Sequence, residues 1–319
     1  ASARENNGNW QTASRWLRFL RTRYRVEVAS GWTPDSGRPA PDLLVALHAR
    51  RSAAALAAFR AAFPERPALL VLTGTDLYRD IHTDAAARAS LDLASSLVVL
   101  QPRGLDELAT EHRAKAHVIY QSAPRLRPHR AASADIVMVG HLRAEKDPLT
   151  YMRAAQLTDA PGVRLLHLGA ALDPQLAAAA RATEQRTTRY RWLGPLPHTA
   201  ARRRLRRCHA MAITSAMEGG ANVIIEAVTS GVPVLASDIG GNRGMLGEDY
   251  LGFFPPGDAP ALARLIERSV LDAAFHARLR RQCAARVRLF SPEAERALLL
   301  DLVDNLLLHD YGSEHEHLS

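Results

Sequence analysis

A chain of 319 residues is long enough for two domains, and 47% hydrophobic with 23% charged residues is the composition of an ordinary globular protein, neither disordered nor fibrous. Its longest apolar runs, such as Leu43 to Leu47 and Leu97 to Leu100, fall far short of the roughly 20 residues that cross a bilayer, which argues against a membrane-spanning role. The net charge of +8 is carried almost wholly by arginine, since Lys115 and Lys146 are the only lysines; the densest run, Arg202 to Arg207, has no interleaved aromatic residues and no nucleic-acid signature, so it reads as a solvated helix face. A basic nucleic-acid-binding protein is thereby the weaker class, and small phosphorylated substrates suit the same charge.

The two cysteines, Cys208 and Cys283, show neither metal-ligand nor disulfide spacing, no signal peptide is visible, and a reducing cytoplasm fits both facts. No Asp-x-Asp pair is present to hold a divalent metal, so no metal or cofactor is expected. The chain lacks an initiator methionine and opens on a polar loop, from which a short first strand is expected to belong ahead of residue 1.

Strand-length apolar runs alternate with helical patterns through most of the chain, which predicts parallel sheets wrapped by helices. The first half offers strands at Val26 to Ser30, Leu43 to His48, Leu69 to Thr73, Leu97 to Gln101 and His117 to Tyr120. Pro124 to Arg130, with two prolines, dense charge and no apolar period, reads as a linker. The second half offers Ile136 to Gly140, Val163 to Gly169, Tyr190 to Leu193, Met211 to Ser215 and Pro233 to Ser237. Only helical patterns follow Ala259; the last, Pro292 to His309 behind Ser291 as cap, carries an apolar stripe at Leu298, Leu302, Val303 and Leu306, and His315 to Ser319 is expected to fray. The expected division is a first domain over 1–126, a second over 134–290, a C-terminal helix over 291–310 and a tail over 311–319. Two such sheets place ligands at the carboxyl ends of their strands, in a cleft between domains.

The most informative stretch runs from Glu218 through Gly219, Gly220, Ala221, Asn222 and Val223 to Glu226. The apolar period resumes at Val223, so a helix begins near Asn222 and ends at Gly231, with Glu226 about one turn inside. A helix start leaves about four N–H groups unpaired and carries about half a positive charge, so residues 219 to 223 suit a diphosphate. Glu226 can accept two hydrogen bonds from ribose hydroxyls and Glu218 can bond sugar hydroxyls. A glycine turn into an ordinary helix with two solvated acids would leave the same pattern. Arg143 and Lys146 follow the strand ending at Gly140, where fixed cations can clamp departing phosphates; a surface salt bridge of Lys146 with Glu145 or Asp147 is the plainer alternative.

These residues resemble those of a GT-B fold glycosyltransferase of the large retaining family 4, whose members use nucleotide sugars. The likeness rests on Glu218 and Glu226 at x7 spacing, Gly231 to Arg243, Leu193-Gly194, Pro256-Gly257-Asp258 and Gly140 to Lys146. It implies two Rossmann-like parallel-sheet domains facing a cleft, with Glu218 on the donor sugar, Glu226 on the ribose and a cation pair on the diphosphate. Lys146 matches one cation; His141 stands where the family has arginine, which leaves open whether Arg143 supplies that charge. Leu196 joins the donor-site residues.

The first half is similar to the selenosugar synthases of selenoneine biosynthesis, which join a sugar from a UDP-sugar such as UDP-N-acetylglucosamine to selenium from selenophosphate. That likeness rests on Asn6 to Ala13, Leu47 to Ser52, Leu72 to Asp80, Leu196-Pro197-His198 and the Glu-Gly-Gly-Ala-Asn turn. It implies a histidine, His48, near the reacting sugar. A small trianion calls for a cationic, polar pocket, for which Arg50, Arg51 and Arg79 stand at strand ends and Asn7, Gly8, Asn9, Gln11 and Thr12 at a helix start. Arginines packing their stems on the surface, a structural histidine and simple N-capping are the alternatives for these residues. A conventional family 4 enzyme with a hydroxyl acceptor is the other functional reading.

Overall fold

The apolar runs form two all-parallel sheets, in a computed structural model that describes residues 8–34, 39–129, 131 and 133–315. The chain divides into two units, Ala1–Ser122 with Pro292–Ser319, and Ala123–Ser291. The boundaries fall after Ser122 and after Ser291. Pro124 to Arg130 is less a free linker than expected, because the Leu126 N–H donates to the Thr229 carbonyl at 2.9 Å within the second unit.

In the first unit β1 (Leu44–Leu47), β2 (Ala68–Leu72), β3 (Ser96–Val99) and β4 (Ala116–Val118) pair in the order β1-β2-β3-β4. Alternate residues of β2 enter opposite layers, as the two-residue period of a strand requires. Leu70 and Leu72 join Leu56, Phe59 and Leu91, whereas Leu69 and Val71 join Trp16, Leu20, Leu299 and Val303. Both faces are therefore covered, which is what a continuous Leu/Val run encodes. Val26 to Ser30 is not a strand: residues 25–29 are irregular, and Val28 is exposed. Arg25 and Glu27 alternate with the valines there, so the run has one apolar face where an interior parallel strand needs two.

The helix Pro292–His315 belongs to this unit and runs past its expected end, since Gly312 is tolerated at about 1 kcal/mol and no proline intervenes. Its buried stripe is Leu299, Leu300, Leu302 and Val303, and the expected Leu298 is 50% exposed. Glu295 sets that rotation. It is fully buried and accepts hydrogen bonds from Arg15 Nε and Trp16 Nε1, both at 2.7 Å, and from Ser122 Oγ.

In the second unit β5 (Ala134–Val139), β6 (Val163–Leu168), β7 (Tyr190–Trp192), β8 (Ala210–Ile213), β9 (Val234–Ser237) and β10 (Phe253–Phe254) pair in the order β10-β9-β8-β5-β6-β7. The two-residue β10 is too short to leave a sequence signal. Among the described residues no helix is long and apolar enough to cross a membrane, and both cysteines are buried free thiols. Burial pushes Cys208 up to about 12 and Cys283 to about 11, so neither is a reactive thiolate at neutral pH.

Leu299→Ala should lower the unfolding free energy by about 2–5 kcal/mol, and Leu298→Ala should leave it within about 0.5 kcal/mol. Chemical denaturation of the two variants checks this rotation of the helix.

Candidate functional site

Strand order in the second unit reverses between β5 and β8: the chain proceeds from β5 outward to β6 and β7, then returns to β8 and proceeds the other way. Loops leaving the carboxyl ends of β5 and β8 therefore diverge, and a crevice opens where they part. Those two loops carry Arg143 with Lys146 and Glu218 with the glycine turn, so the topology brings the sequence-predicted donor residues together.

Lys146 Nζ pairs with Glu218 Oε1, and Ser215 Oγ donates to the same oxygen at 2.6 Å. The expected surface pairings of Lys146 with Glu145 or Asp147 are not what forms. The loops are also joined through main-chain carbonyls, with the Ala216 N–H donating to the Glu145 carbonyl at 3.0 Å and the Thr214 Oγ1 hydroxyl donating to the Lys146 carbonyl at 2.8 Å. Gly241 packs on the Glu218 carbonyl so closely that a Cβ there would lie 1.9 Å from its oxygen. Beneath it, Asn242 Nδ2 donates to the Ser237 carbonyl at 2.9 Å and Ser237 Oγ donates to the Ser215 carbonyl at 2.6 Å, a buried chain that ends under Glu218.

Arg143 has its Nε buried with no hydrogen-bond partner among the described residues, on the same loop as Lys146. His141 Nδ1 accepts the Ala170 N–H at 3.0 Å. Burial, together with the Arg143 and Lys146 cations, lowers the His141 imidazole below its ordinary value, so it is neutral at pH 7 and adds no charge where Arg143 and Lys146 do.

The helix Asn222–Thr229 begins where the period predicts, with Ala221 as its cap and Gly231 in the left-handed region at φ 75° just after it. The Ile224 and Ile225 N–H groups both donate to the Ala221 carbonyl, at 2.9 and 3.3 Å. Those of Gly219, Gly220, Ala221, Asn222 and Val223 precede the first intrahelical bond, the arrangement that receives an anion. Glu226 lies one turn in, and His198 Nε2 meets its Oε1 at 2.6 Å. Behind it the Arg202 guanidinium, only 7% exposed, donates to Thr229 Oγ1 at 3.0 Å and to the Pro124 carbonyl. Arg202 is thus a buried structural cation and not part of a solvated face, whereas Arg203, Arg204 and Arg207 are exposed as expected. Leu196 lies partly exposed in the segment between β7 and the helix His198–Leu205.

In the first unit His48 closes β1 in the left-handed region at φ 76°, and its ring is buried. Only Asp147, at φ 42°, shares that conformation among the described non-glycine residues, and it sits on the Lys146 loop. Each such residue costs on the order of 1 kcal/mol, and such strain gathers at functional sites. His48 Nε2 lies 3.1 Å from Thr75 Oγ1, and Nδ1 accepts the Arg51 N–H at 3.4 Å. Burial lowers the imidazole below its ordinary value, with the Arg51 and Arg50 charges acting the same way against the carboxylates of Asp76 and Asp80. Asp76 is structural: it accepts the N–H groups of Ala49, Thr73 and Gly74 at 2.8 to 3.2 Å.

Arg50 and Arg79 both point to Asp80, donating through Nε at 2.9 and 3.0 Å. Burial alone would raise the Asp80 carboxyl, but these hydrogen bonds outweigh it and hold the group below the ordinary carboxylate range. Arg51 is exposed, and no acid pairs with its side chain among the described residues. Gly8, Asn9, Gln11 and Thr12 lie in the first turns of the helix Gly8–Leu20. Thr12 is buried and donates to the Gly8 carbonyl at 2.9 Å while accepting from Gln121, so its hydroxyl is spent on packing. Asn7 lies outside the described residues. No group of three His, Cys, Asp or Glu side chains converges as metal ligands among the described residues.

The family profile described as glycosyl transferases group 1 matches residues 126–288, just over half of the chain. The chain belongs to this family. A stretch of 61 residues is 43% identical to protein CapJ of Staphylococcus aureus; it covers 19% of this chain and 15% of CapJ. Sucrose-phosphate synthase of Thermosynechococcus elongatus shares the fold with a TM-score of 0.71 at 21% identity, over 84% of this chain and 74% of that one. Anabaena HepE in complex with UDP-glucose gives 0.68 at 18% identity, over 83% and 79%. The fold is GT-B: two parallel-sheet α/β units with a C-terminal helix.

Within this group 1 chain the acids and cations stand out in the sequence, but their partners do not. Ser215, three residues before Glu218 at the end of β8, had a local signal, because a hydroxyl at that spacing can meet a loop carboxylate. His198 had none, since its contact with Glu226 joins residues 28 positions apart; Asp80 meets the adjacent Arg79, but its second partner, Arg50, lies 30 positions away, beyond the reach of local spacing.

The Glu226 carboxylate raises His198 above its ordinary 6.5, against the opposing effect of burial. The charged pair is therefore complete below about pH 6.5 and is lost as pH rises through the raised value. An NMR titration should place the His198 midpoint above 6.5, and Glu226→Gln should return it to about 6.5 or below.

Proposed function

We propose that the chain transfers a sugar from a UDP-sugar to the selenium of selenophosphate, forming a carbon–selenium bond and releasing UDP and phosphate. One observation carries the donor half: Lys146 and Glu218 are paired at the β5–β8 crevice, beside the amino end of the helix that holds Glu226. HepE, of the same fold, has been solved with UDP and with UDP-glucose, which supports a uridine nucleotide as the donor class. Glu226 binds the ribose, Lys146 and Arg143 the diphosphate with the N–H groups of residues 219 to 223, and Glu218 the sugar. Leu196 offers apolar surface beside the nucleotide. His48 steadies the sugar or developing charge.

The acceptor half rests on the likeness of the first unit to selenosugar synthases and on Arg50, Arg51 and Arg79 gathered near His48. The selenium lone pair attacks the anomeric carbon, and the bond to the diphosphate oxygen breaks with its electron pair leaving on UDP. Water then cleaves the selenium–phosphorus bond, and phosphate departs from the selenosugar. A selenolate is already nucleophilic, so the step calls for no strong base, in keeping with a buried His48 whose lowered pKa makes it a weaker base than a free imidazole. One observation favours the second reading, a hydroxyl acceptor: Asp80 already engages Arg50 and Arg79, which lowers the positive charge left for a trianion.

Incubation with UDP-N-acetylglucosamine or UDP-glucose, with and without selenophosphate, should release UDP only when selenophosphate is present and yield a selenium-bearing product by mass spectrometry. Turnover on a hydroxyl acceptor with no selenium product would move the assignment to the second reading. Glu226→Ala should weaken UDP binding by about ten- to a hundredfold, from the loss of charge-assisted hydrogen bonds, and Lys146→Ala should lower the turnover rate by about a hundredfold or more. Unchanged UDP affinity in Glu226→Ala would remove the donor-site assignment.

A further inference from the structure

A cavity of about 400 Å³ opens in the second unit at the carboxyl end of the helix Asn222–Thr229, the end away from the glycine turn. Its floor is apolar, with Val228, Cys283 and Val287, and its walls carry Arg125, Arg280 and Arg281. Among the described residues no Asp or Glu lines it. The three arginines are exposed, and no carboxylate pairs with any of them among the described residues. This contrasts with Arg50, Arg79, Arg164 and Arg243, each of which has an acid within 3.0 Å.

The concavity is built by missing side chains. The helix Ala273–Arg286 turns Ala277, Arg281 and Ala284 toward the cavity at four- and three-residue spacing, one face of a helix, and the two alanines leave room between the guanidinium groups and the floor. Across the cavity Gly231 adds no side chain, and a Cβ there would press on Pro128 at 3.0 Å. His276, also in the wall, is held neutral by burial and by the Arg280 charge, and its Nε2 meets the His209 carbonyl at 3.1 Å. The cationic character thus belongs to the arginines alone, whose planar forks match a phosphate or carboxylate group.

We propose that this cavity is a second anion site, separate from the crevice at β5 and β8, that takes a phosphate monoester or diester carrying a short apolar portion. The phosphoryl group meets Arg125, Arg280 and Arg281, and the apolar portion lies on Val228 and Val287. The same chemistry is offered by a soluble phosphate ester and by an anionic phospholipid headgroup.

Isothermal titration with glycerol 3-phosphate and sedimentation with vesicles of phosphatidylglycerol or of phosphatidylcholine test the site and separate its two sources. Glycerol 3-phosphate binding assigns a soluble ester, and selective sedimentation with phosphatidylglycerol in its absence assigns a headgroup. In either case Arg280→Gln with Arg281→Gln should weaken binding by about tenfold or more, and Ala284→Leu, which keeps every charge and fills the cavity, should do the same. Thermal melting and UDP affinity should stay unchanged in Ala284→Leu, which separates loss of the site from loss of the fold. The proposal is overturned if neither probe binds the unaltered protein, or if the arginine variant loses binding while Ala284→Leu retains it, since diffuse charge would then suffice.

Discussion

The reversal of strand order between β5 and β8 is the constraint on which the candidate site depends. A parallel sheet that grew in one direction would send every loop over its neighbour. Here the chain lays β6 and β7 on one side of β5, then β8, β9 and β10 on the other, so the loops after β5 and β8 part at the centre. Each delivers opposite charge to the gap, Lys146 from one and Glu218 from the other. The backbone hydrogen bond from the Ala216 N–H to the Glu145 carbonyl holds the bases of these loops together. Tight backbone approach, Gly169 against Gly140 and Gly241 against Glu218, leaves no space for a Cβ at either glycine. The glycines of this region are therefore explained by packing at the loop bases as much as by ligand access.

A chain with so much arginine uses it in distinct ways. Arg202 is buried and binds backbone and hydroxyl oxygens, Arg164 spans the register pair with Asp135, and Arg243 bridges Asp238 and Glu248 while lying over the Phe253 ring. These are fixed, planar, multidentate contacts, which suit guanidinium. Lysine at position 146 is a different choice. An ammonium on a flexible stem can exchange one acceptor for another without the loss of a paired fork, and the central loop is where such an exchange is chemically useful.

Much of this was legible locally. Nine of the ten strands among the described residues follow from apolar runs, and the helix at Asn222 from the return of the 3.6 period after two glycines. The reading failed where tertiary partners decide. Val26 to Ser30 has the apolar residues of a strand but no second buried face. The stripe of the last helix was placed on Leu298 because periodicity alone does not fix rotation; Glu295, reaching Arg15, Trp16 and Ser122, fixes it. Arg202 is one of five arginines in its run, and only its contacts with Thr229 and Pro124 set it apart from the rest. Thr12 likewise resembled a free donor until Gln121 met it. In each case the deciding contact spans a separation at which sequence spacing carries no information.

Both acids of the glycine turn are already paired inside the protein, Glu218 with Lys146 and Glu226 with His198. On the proposed reading, binding the donor is therefore an exchange of partners, not the capture of a free ligand by empty carboxylates. A diphosphate that draws Lys146 toward itself releases Glu218 Oε1 to accept sugar hydroxyls, and Ser215 Oγ keeps that carboxylate in place meanwhile. Breaking one partner from a nearly buried ion pair is unfavourable by several kcal/mol unless the other is satisfied at once. The two halves of the donor are thus coupled through one ion pair: phosphate without sugar leaves Glu218 unpaired, and sugar without phosphate leaves Lys146 holding the carboxylate that the sugar needs. Such coupling favours the intact nucleotide sugar over its separate parts, which is the selectivity a transferase requires of its donor.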